Sequence, residues 1–380
     1  MSSSTIWSLS MRITDVQAYV LALPEITTAC DGTQDTCLIR VDTDAGITGW
    51  GEVDSCPSVV KAVVDAPLSH QICAGLRHAL LGADPLAIDV CMQLMDQVTN
   101  YYGRTGAGSH AQAGVNIALW DILGKACDKP IYQLLGGPYK TRFRAYCSIL
   151  FGDTPQETGE LAAHYRAQGF TAIKFGWGPM GQSEASDLAL IRAAREGAGE
   201  EVDVLVDAGQ VWDWKTALKR AQQFADFNVF WLEEPLRPDD VDGYRRLTAE
   251  SPIPIAAAEA ESRFDEFQRL VVDGGLDWIQ PDPGRCGISN FVEAGRMACR
   301  HHRRVVNHSF KSGITLAASL HALAAIPNTE VCEFCMADSP LRHELTNEIF
   351  AIDETGYATV PDQPGLGISI NEEILRKYQQ

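Results

Sequence analysis

A chain of 380 residues and 41.5 kDa is too long for one small domain and too short for a multi-module assembly. Roughly 150 residues per domain suggests two or three units, although an α/β barrel uses about 250 as one. With 46% apolar and 21% charged residues the chain can bury a large core and is not of disordered composition. Its 31 basic against 50 acidic residues give a net charge of −19, which argues against nucleic acid or an anionic membrane surface as partner, since both need a basic face. A small anionic substrate is not excluded, because a bound metal reverses the local sign of a cleft.

The opening MSSSTIWSLS lacks a basic n-region and a long apolar stretch, so it reads as a loose leader and not as a signal peptide. No apolar run approaches the roughly 20 residues that span a bilayer. The 11 cysteines are scattered and odd in number, which, without a secretion signal, predicts reduced thiols and a cytoplasmic protein. Cys332 and Cys335 have no second pair to complete a zinc site and fall on an expected strand. The string GRTGAGSH at 103–110 lacks the Gly-Lys-Ser/Thr ending of a phosphate loop and reads as a glycine-rich loop before a helix.

Residues 12–23, 36–42 and 47–51 read as strands, the last two joined through the turn Thr43-Asp44-Ala45-Gly46. Segments 60–68, 86–99 and 110–126 have helical spacing, the last starting at Ser109 and ending near Gly124. Strands followed by helices describe an α+β capping domain, placed at 11–138. From residue 143 short apolar runs alternate with amphipathic segments: FRAYCSIL, FTAIKFG, VDVLVDAG, VFWLEEP, IPIAAAEA, LDWIQPD, RVVNHS and EVCEFC. Eight strand-like runs with helices between them predict an α/β fold, a (β/α)7β TIM-type barrel over 139–348. The stretch 349–380 is expected to pack back on the cap.

Barrels of this kind carry their chemistry at the C-terminal ends of the strands. The last polar residues of the successive runs are Lys174, Asp207, Glu233, Glu259, Asp282, His308 and Glu333, at steps of 23 to 33 residues. Singly, each reads as a helix cap or a solvated loop residue. In register they converge on one mouth, where five neighbouring carboxylates need a cation. Asp207, Glu233 and Glu259, all hard oxygen donors from neighbouring strands, suit magnesium. Glu234 is an ambiguous neighbour, and the 26-residue step from Asp207 favours Glu233.

The order Lys, Asp, Glu, Glu, Asp, His, Glu after an α+β cap, together with ALWDILGKACDKPIYQLLGG and VPDQPGLGI, resembles the enolase superfamily, and within it the mandelate racemase/muconate lactonizing enzyme family. The resemblance spans nearly everything from Met11 onward. It implies magnesium on Asp207, Glu233 and Glu259, an acid/base at Lys174, a second at His308 oriented by Asp282, and Glu333 as the last-strand carboxyl that helps hold the substrate carboxylate and enolate oxygen. Two positions depart from the family pattern. Ala172 stands where a Lys-X-Lys pair has its first lysine, and Gly209 stands where relatives often have Asn.

The chemistry implied is removal of the proton α to a carboxylate. Its leading form is dehydration of a sugar acid to a 2-keto-3-deoxy acid; racemisation or epimerisation by a Lys174–His308 pair and cycloisomerisation of a sugar-acid lactone are the alternatives. A non-catalytic metal-bearing scaffold is disfavoured by retention of all seven residues. Substrate selection is expected from the cap loops at 24–35 and 52–58, with Asp31, Gln34, Tyr102, Trp177, Trp212 and Lys311 as candidate contacts. Lys311 reads more readily as a solvated lysine at a helix start. A homo-oligomer is expected from the same resemblance.

Overall fold

In the computed structural model, which describes residues 11–380, the chain opens with an antiparallel sheet of β1 (Ile13–Ala22), β2 (Asp35–Thr43) and β3 (Thr48–Val53). The leader expected over 1–10 lies outside the described residues. Helices Pro57–Asp65, Leu76–Leu80, Ile88–Thr99 and Ala107–Cys127 cover this sheet. The second, of five residues, is too short to show periodicity and escapes a sequence reading. The glycines of β3 set the packing distance: a Cβ on Gly51 would lie 1.9 Å from the Gly114 carbonyl of the helix Ala107–Cys127. That helix starts two residues before Ser109, whose buried hydroxyl bonds the Gly103 carbonyl at 3.3 Å instead of capping the helix. It runs past Gly124 to Cys127, where Asp128 turns left-handed at φ 53 and closes it.

Eight parallel strands follow: β4 (Arg142–Leu150), β5 (Ala172–Gly176), β6 (Asp203–Asp207), β7 (Val229–Glu233), β8 (Ile255–Ala257), β9 (Trp278–Ile279), β10 (Arg304–Val305) and β11 (Val331–Cys335). Each of the first seven leads through a helical segment to the next, the (β/α)7β order. They pair in sequence from β4 to β10, and β11 returns to pair β4. Closure between β10 and β11 is by the bridge of Val305 to Thr329, and by the Asn307 side chain, whose Oδ1 accepts from the Glu333 N–H at 2.9 Å. The barrel interior is filled by a layer that includes Tyr146, Leu205, Trp231 and Trp278, all buried, with Trp231 and Trp278 centroids 5.1 Å apart. It is a packed floor under the mouth, not a channel.

The tail touches the cap and also the barrel. β12 (Tyr357–Thr359) pairs antiparallel with the start of β4, while Gln379 bridges to Leu21 of β1 and the Leu366 N–H donates to the buried Asp121 carboxylate at 3.0 Å. The cap is held over the barrel mouth by buried polar contacts. Glu52 of β3 accepts from the Ser312 hydroxyl at 2.6 Å and the Thr315 N–H at 3.2 Å, at the N-terminus of the helix Gly313–Ala324, where amide dipoles favour an anion. Just beyond it, the Asp54 N–H donates to the Gly284 carbonyl at 3.1 Å. All eleven cysteines are free thiols. No helix among the described residues is long and apolar enough to cross a membrane.

Candidate active site

Asp207, Glu233 and Glu259 meet at the barrel mouth: one carboxylate oxygen of each lies within 4.8 Å of the others, and all three residues are buried. Asp207 and Glu233 are direct partners in the parallel register of β6 and β7, so their side chains leave the same face of the sheet. Glu259 follows β8 after Ala258, whose φ of 92 turns the chain over the mouth. Glu234 has φ 39 and points elsewhere, bonding Gln210 and leaving its Oε1 buried without a partner. Glu233, not Glu234, therefore joins the other two.

Burial, then repulsion from Glu233, pushes Asp207 well above the usual carboxylate range, opposed by Lys174. Burial also raises Glu233, against the pull of Lys174 and with the repulsion of Glu333 and Glu259. Lys174 pairs with Glu233 and Arg285 with Glu259, while Asp207 has no ion pair among the described residues. A set of three buried carboxylates of this kind fits a hard divalent cation.

Lys174, in the middle of β5, reaches Glu233 and lies 2.8 Å from Glu333 Oε1. Burial alone would lower its pKa, but Glu233 and Glu333 outweigh this and hold it well above the usual lysine range. Two residues earlier, Ala172 belongs to the aromatic floor with Tyr146, Trp231 and Trp278, which fill the space below Lys174. Glu333 itself is fully buried and does not reach the cavity. It accepts from the Ser148 hydroxyl at 2.7 Å and the Ser309 N–H at 2.5 Å. Burial would raise it, yet Lys174 and His308 hold it down at about 2. It is an ionised carboxylate beside Lys174 and Ser148.

Across the mouth, His308 Nδ1 lies 2.6 Å from Asp282 Oδ2, and His308 Nε2 lies 3.5 Å from Glu259 Oε2. The other Asp282 oxygen accepts from the Gly284 N–H at 2.6 Å as the N-cap of the helix Pro283–Arg300, which locks the carboxylate in place. Burial would lower the imidazole pKa; Glu259, Glu333 and Asp282 outweigh it and raise it to about 10. The Asp282 contact leaves Nε2 as the ring atom directed at the metal-ligand side.

A small cavity of about 100 Å³ is bounded by Lys174, Asp207, Glu259 and His308, with Ser148 and Arg285 beside them and Cys30, Gly32 and Asp54 closing from the cap. Of the six candidate substrate contacts only Trp177 lines it. Asp31 caps its own turn, accepting from the Thr33 N–H at 2.8 Å. Gln34 is used inside the 24–35 loop, accepting from the Thr27 N–H at 2.7 Å. Tyr102 donates to the Ala74 carbonyl at 2.6 Å within the cap, and Trp212 packs on Phe224 with centroids 6.2 Å apart. Lys311 is neither solvated nor at the cavity. It is buried, donates to the Asp35 carbonyl at 2.9 Å and lies 3.6 Å from Asp54 Oδ1.

Sequence reasoning missed Asp54 and Arg285. Arg285 bridges Asp54 Oδ2 at 2.8 Å and Glu259 Oε1 at 3.2 Å, joining cap, barrel and acidic cluster. Its position three residues after Asp282, one helical turn away, was a usable signal. Asp54, the first residue after β3, was another, as a polar residue following a strand of the cap.

A family model described as "Mandelate racemase / muconate lactonizing enzyme, N-terminal domain" matches residues 11–136, and one described as "Enolase C-terminal domain-like" matches residues 157–374. The chain is 32% identical over 357 residues to a D-galactarolactone cycloisomerase of Agrobacterium fabrum, covering 90% of each. It is 31% identical over 346 residues to an arabinonate dehydratase of Saccharolobus solfataricus, covering 90% of this chain and 89% of the relative. A crystal structure described as a predicted mandelate racemase from Rhodobacter sphaeroides superimposes with a TM-score of 0.91 at 34% identity, over 98% of this chain and 96% of the other. With both halves matched and the acidic cluster in place at the barrel mouth, the chain belongs to the mandelate racemase/muconate lactonizing enzyme family of the enolase superfamily, whose members are enzymes that use a divalent metal.

Proposed function

We propose that this enzyme is a magnesium-dependent acid-sugar dehydratase, removing the proton α to a carboxylate and then the β-hydroxyl to leave a 2-keto-3-deoxy acid. The observation that carries the reading is His308, fixed by Asp282 and facing the carboxylate cluster across a cavity that Lys174 also lines. Sugar-acid dehydratases among the relatives support it, including the arabinonate dehydratase and D-galactonate dehydratases 32% identical to this chain.

Asp207, Glu233 and Glu259 would hold the magnesium, which supplies Lewis-acid stabilisation of the charge that develops on the substrate carboxylate. A cation held by Glu259 would cancel the carboxylate charge that most raises His308, and the neutral imidazole then takes the α-proton at Nε2; the Nδ1–H bond to Asp282 stabilises the imidazolium so formed. The same Nε2–H then delivers its proton to the departing β-hydroxyl, which leaves as water, and the resulting enol tautomerises to the ketone. Lys174 is held as a cation by Glu333 from behind, so it suits charge stabilisation at a substrate oxygen better than proton removal.

That role disfavours a two-base racemase, in which Lys174 would need to be neutral. Cycloisomerisation of a lactone remains the second reading, favoured by the cycloisomerase among the relatives and needing only one of the two groups as base. Incubation of the magnesium-loaded enzyme with a panel of sugar acids, with semicarbazide detection of keto acid, tests the proposal. Keto acid from at least one open-chain acid, and none from His308→Asn, is expected; keto acid from lactones alone, with no open-chain acid turned over, would replace dehydration by cycloisomerisation.

A further inference from the structure

Every cation on the cavity wall is already matched. Lys174 faces Glu233 and Glu333, Arg285 faces Asp54 and Glu259, and His308 faces Asp282 and Glu259. Lys311, the nearest further cation, is buried away from the cavity on Asp35 and Asp54. The remaining wall includes Cys30, Ile149, Leu150, Trp177 and Phe310, with Ser148 as a hydroxyl already donated to Glu333 and no basic group among the described residues. The one charge that the cap itself contributes, Asp54, is negative. A divalent cation on Asp207, Glu233 and Glu259 adds two positive charges to three negative ones and leaves a net of −1, so one substrate carboxylate is accommodated only by direct contact with the metal and no positive charge is left for a second.

From this we infer that the site takes monocarboxylate sugar acids and rejects the corresponding dicarboxylates: the end of the substrate away from the reacting carbon is uncharged and rests on an apolar wall with Trp177 in it. A second carboxylate has no partner there and faces Asp54. Leaving a charge unpaired in an enclosed site weakens binding by roughly a hundred-fold or more. The inference rests on the proposed reading of this cavity as the substrate site, and it adds the charge class of the substrate. It also assigns Cys30, an exposed residue of the cap loop that reaches the wall, as the position where a cation would change that class.

The test is titration calorimetry of the full chain loaded with magnesium, using pairs that differ only in the distal group: gluconate and glucarate, galactonate and galactarate, mannonate and mannarate. At least one aldonate is expected to bind, and to bind at least a hundred-fold more tightly than its aldarate. Cys30→Lys is expected to tighten aldarate binding at least ten-fold relative to the corresponding aldonate. An aldarate bound as tightly as its aldonate, no aldonate bound at all, or no gain for aldarates over aldonates in Cys30→Lys would each overturn the inference. Keto-acid release is assayed in the same samples. Selective binding without keto acid would leave the charge selectivity standing while removing dehydration.

Discussion

The Trp177 ring lies directly over Gly209: a Cβ at that glycine would sit 2.8 Å from the ring. Trp177 holds φ 58 and Gly209 φ 62, so two residues in the left-handed region together bring an indole to the cavity wall. The glycine that departs from the Asn of relatives thus has a physical reason, since Asn would occupy the space of the ring. Gly209→Asn is expected to displace Trp177, raising KM several-fold with a smaller change in kcat and costing about 1–3 kcal/mol of stability. Steady-state kinetics and tryptophan fluorescence check it; an unchanged KM and spectrum would mean the ring does not depend on Gly209.

Asp282 has two duties that one substitution separates. Asn caps a helix as well as Asp does, so Asp282→Asn should keep the fold and lose only the charge behind His308. Turnover is expected to fall about 100- to 10,000-fold, and the apparent pKa of the catalytic base in the pH profile to fall with it. A loss of activity accompanied by a large drop in unfolding midpoint would instead assign Asp282 a structural role.

Lys311 ties the barrel to the cap through Asp35 and Asp54, and its side chain is only 3% exposed. Lys311→Met keeps the volume and removes the charge, leaving Asp54 to Arg285 and the more distant His308. Breaking a buried pair from one side costs about 3–5 kcal/mol, whereas a solvated lysine would change stability by less than about 0.5 kcal/mol. Urea denaturation distinguishes the two.

Magnesium should matter more to stability as pH rises. Glu261 is raised to about 8, chiefly by burial, Asp207 is raised by burial and Glu233, Glu233 by burial with Glu333 and Glu259, and His308 is raised to about 10. Groups with folded pKa values above their unfolded ones contribute stability that is full below the unfolded pKa and is lost as pH rises through the folded one. The unfolded values are near 4.5 for Glu and 6.5 for His, so the chelated protein is expected to lose stability from about pH 5 to about pH 10. Glu333, depressed to about 2, acts only below this window. Thermal unfolding in EDTA should shift downward from pH 6 to pH 9, and the upward shift on adding magnesium should grow over the same interval. A magnesium shift independent of pH would contradict the assigned ligands.

The barrel and its polar ladder were legible because the strand–helix period repeats: an apolar run ending in Asp207, Glu233 or His308 carries its own boundary. The register that selects Glu233 over Glu234 was legible through spacing for the same reason. Lys311 was not, because its partner Asp35 is 276 residues away in sequence and nothing local distinguishes a lysine that crosses to the cap from a solvated one. Asp31 and Gln34 illustrate the opposite failure. Polar loop residues suggested sugar contacts, yet a loop must satisfy its own backbone first, and both side chains do that. Arg285 and Asp54 come together only when two separately folded layers meet.

On the proposed function, His308 removes a proton α to the carboxylate of a sugar acid with magnesium on Asp207, Glu233 and Glu259. Proton NMR of magnesium-loaded enzyme with a sugar monoacid substrate in deuterated water follows that proton directly. Loss of the α-proton signal by the wild type, none by His308→Asn, and a magnesium stabilisation retained in that variant are the results predicted. Wild-type α-proton loss in His308→Asn would contradict the account.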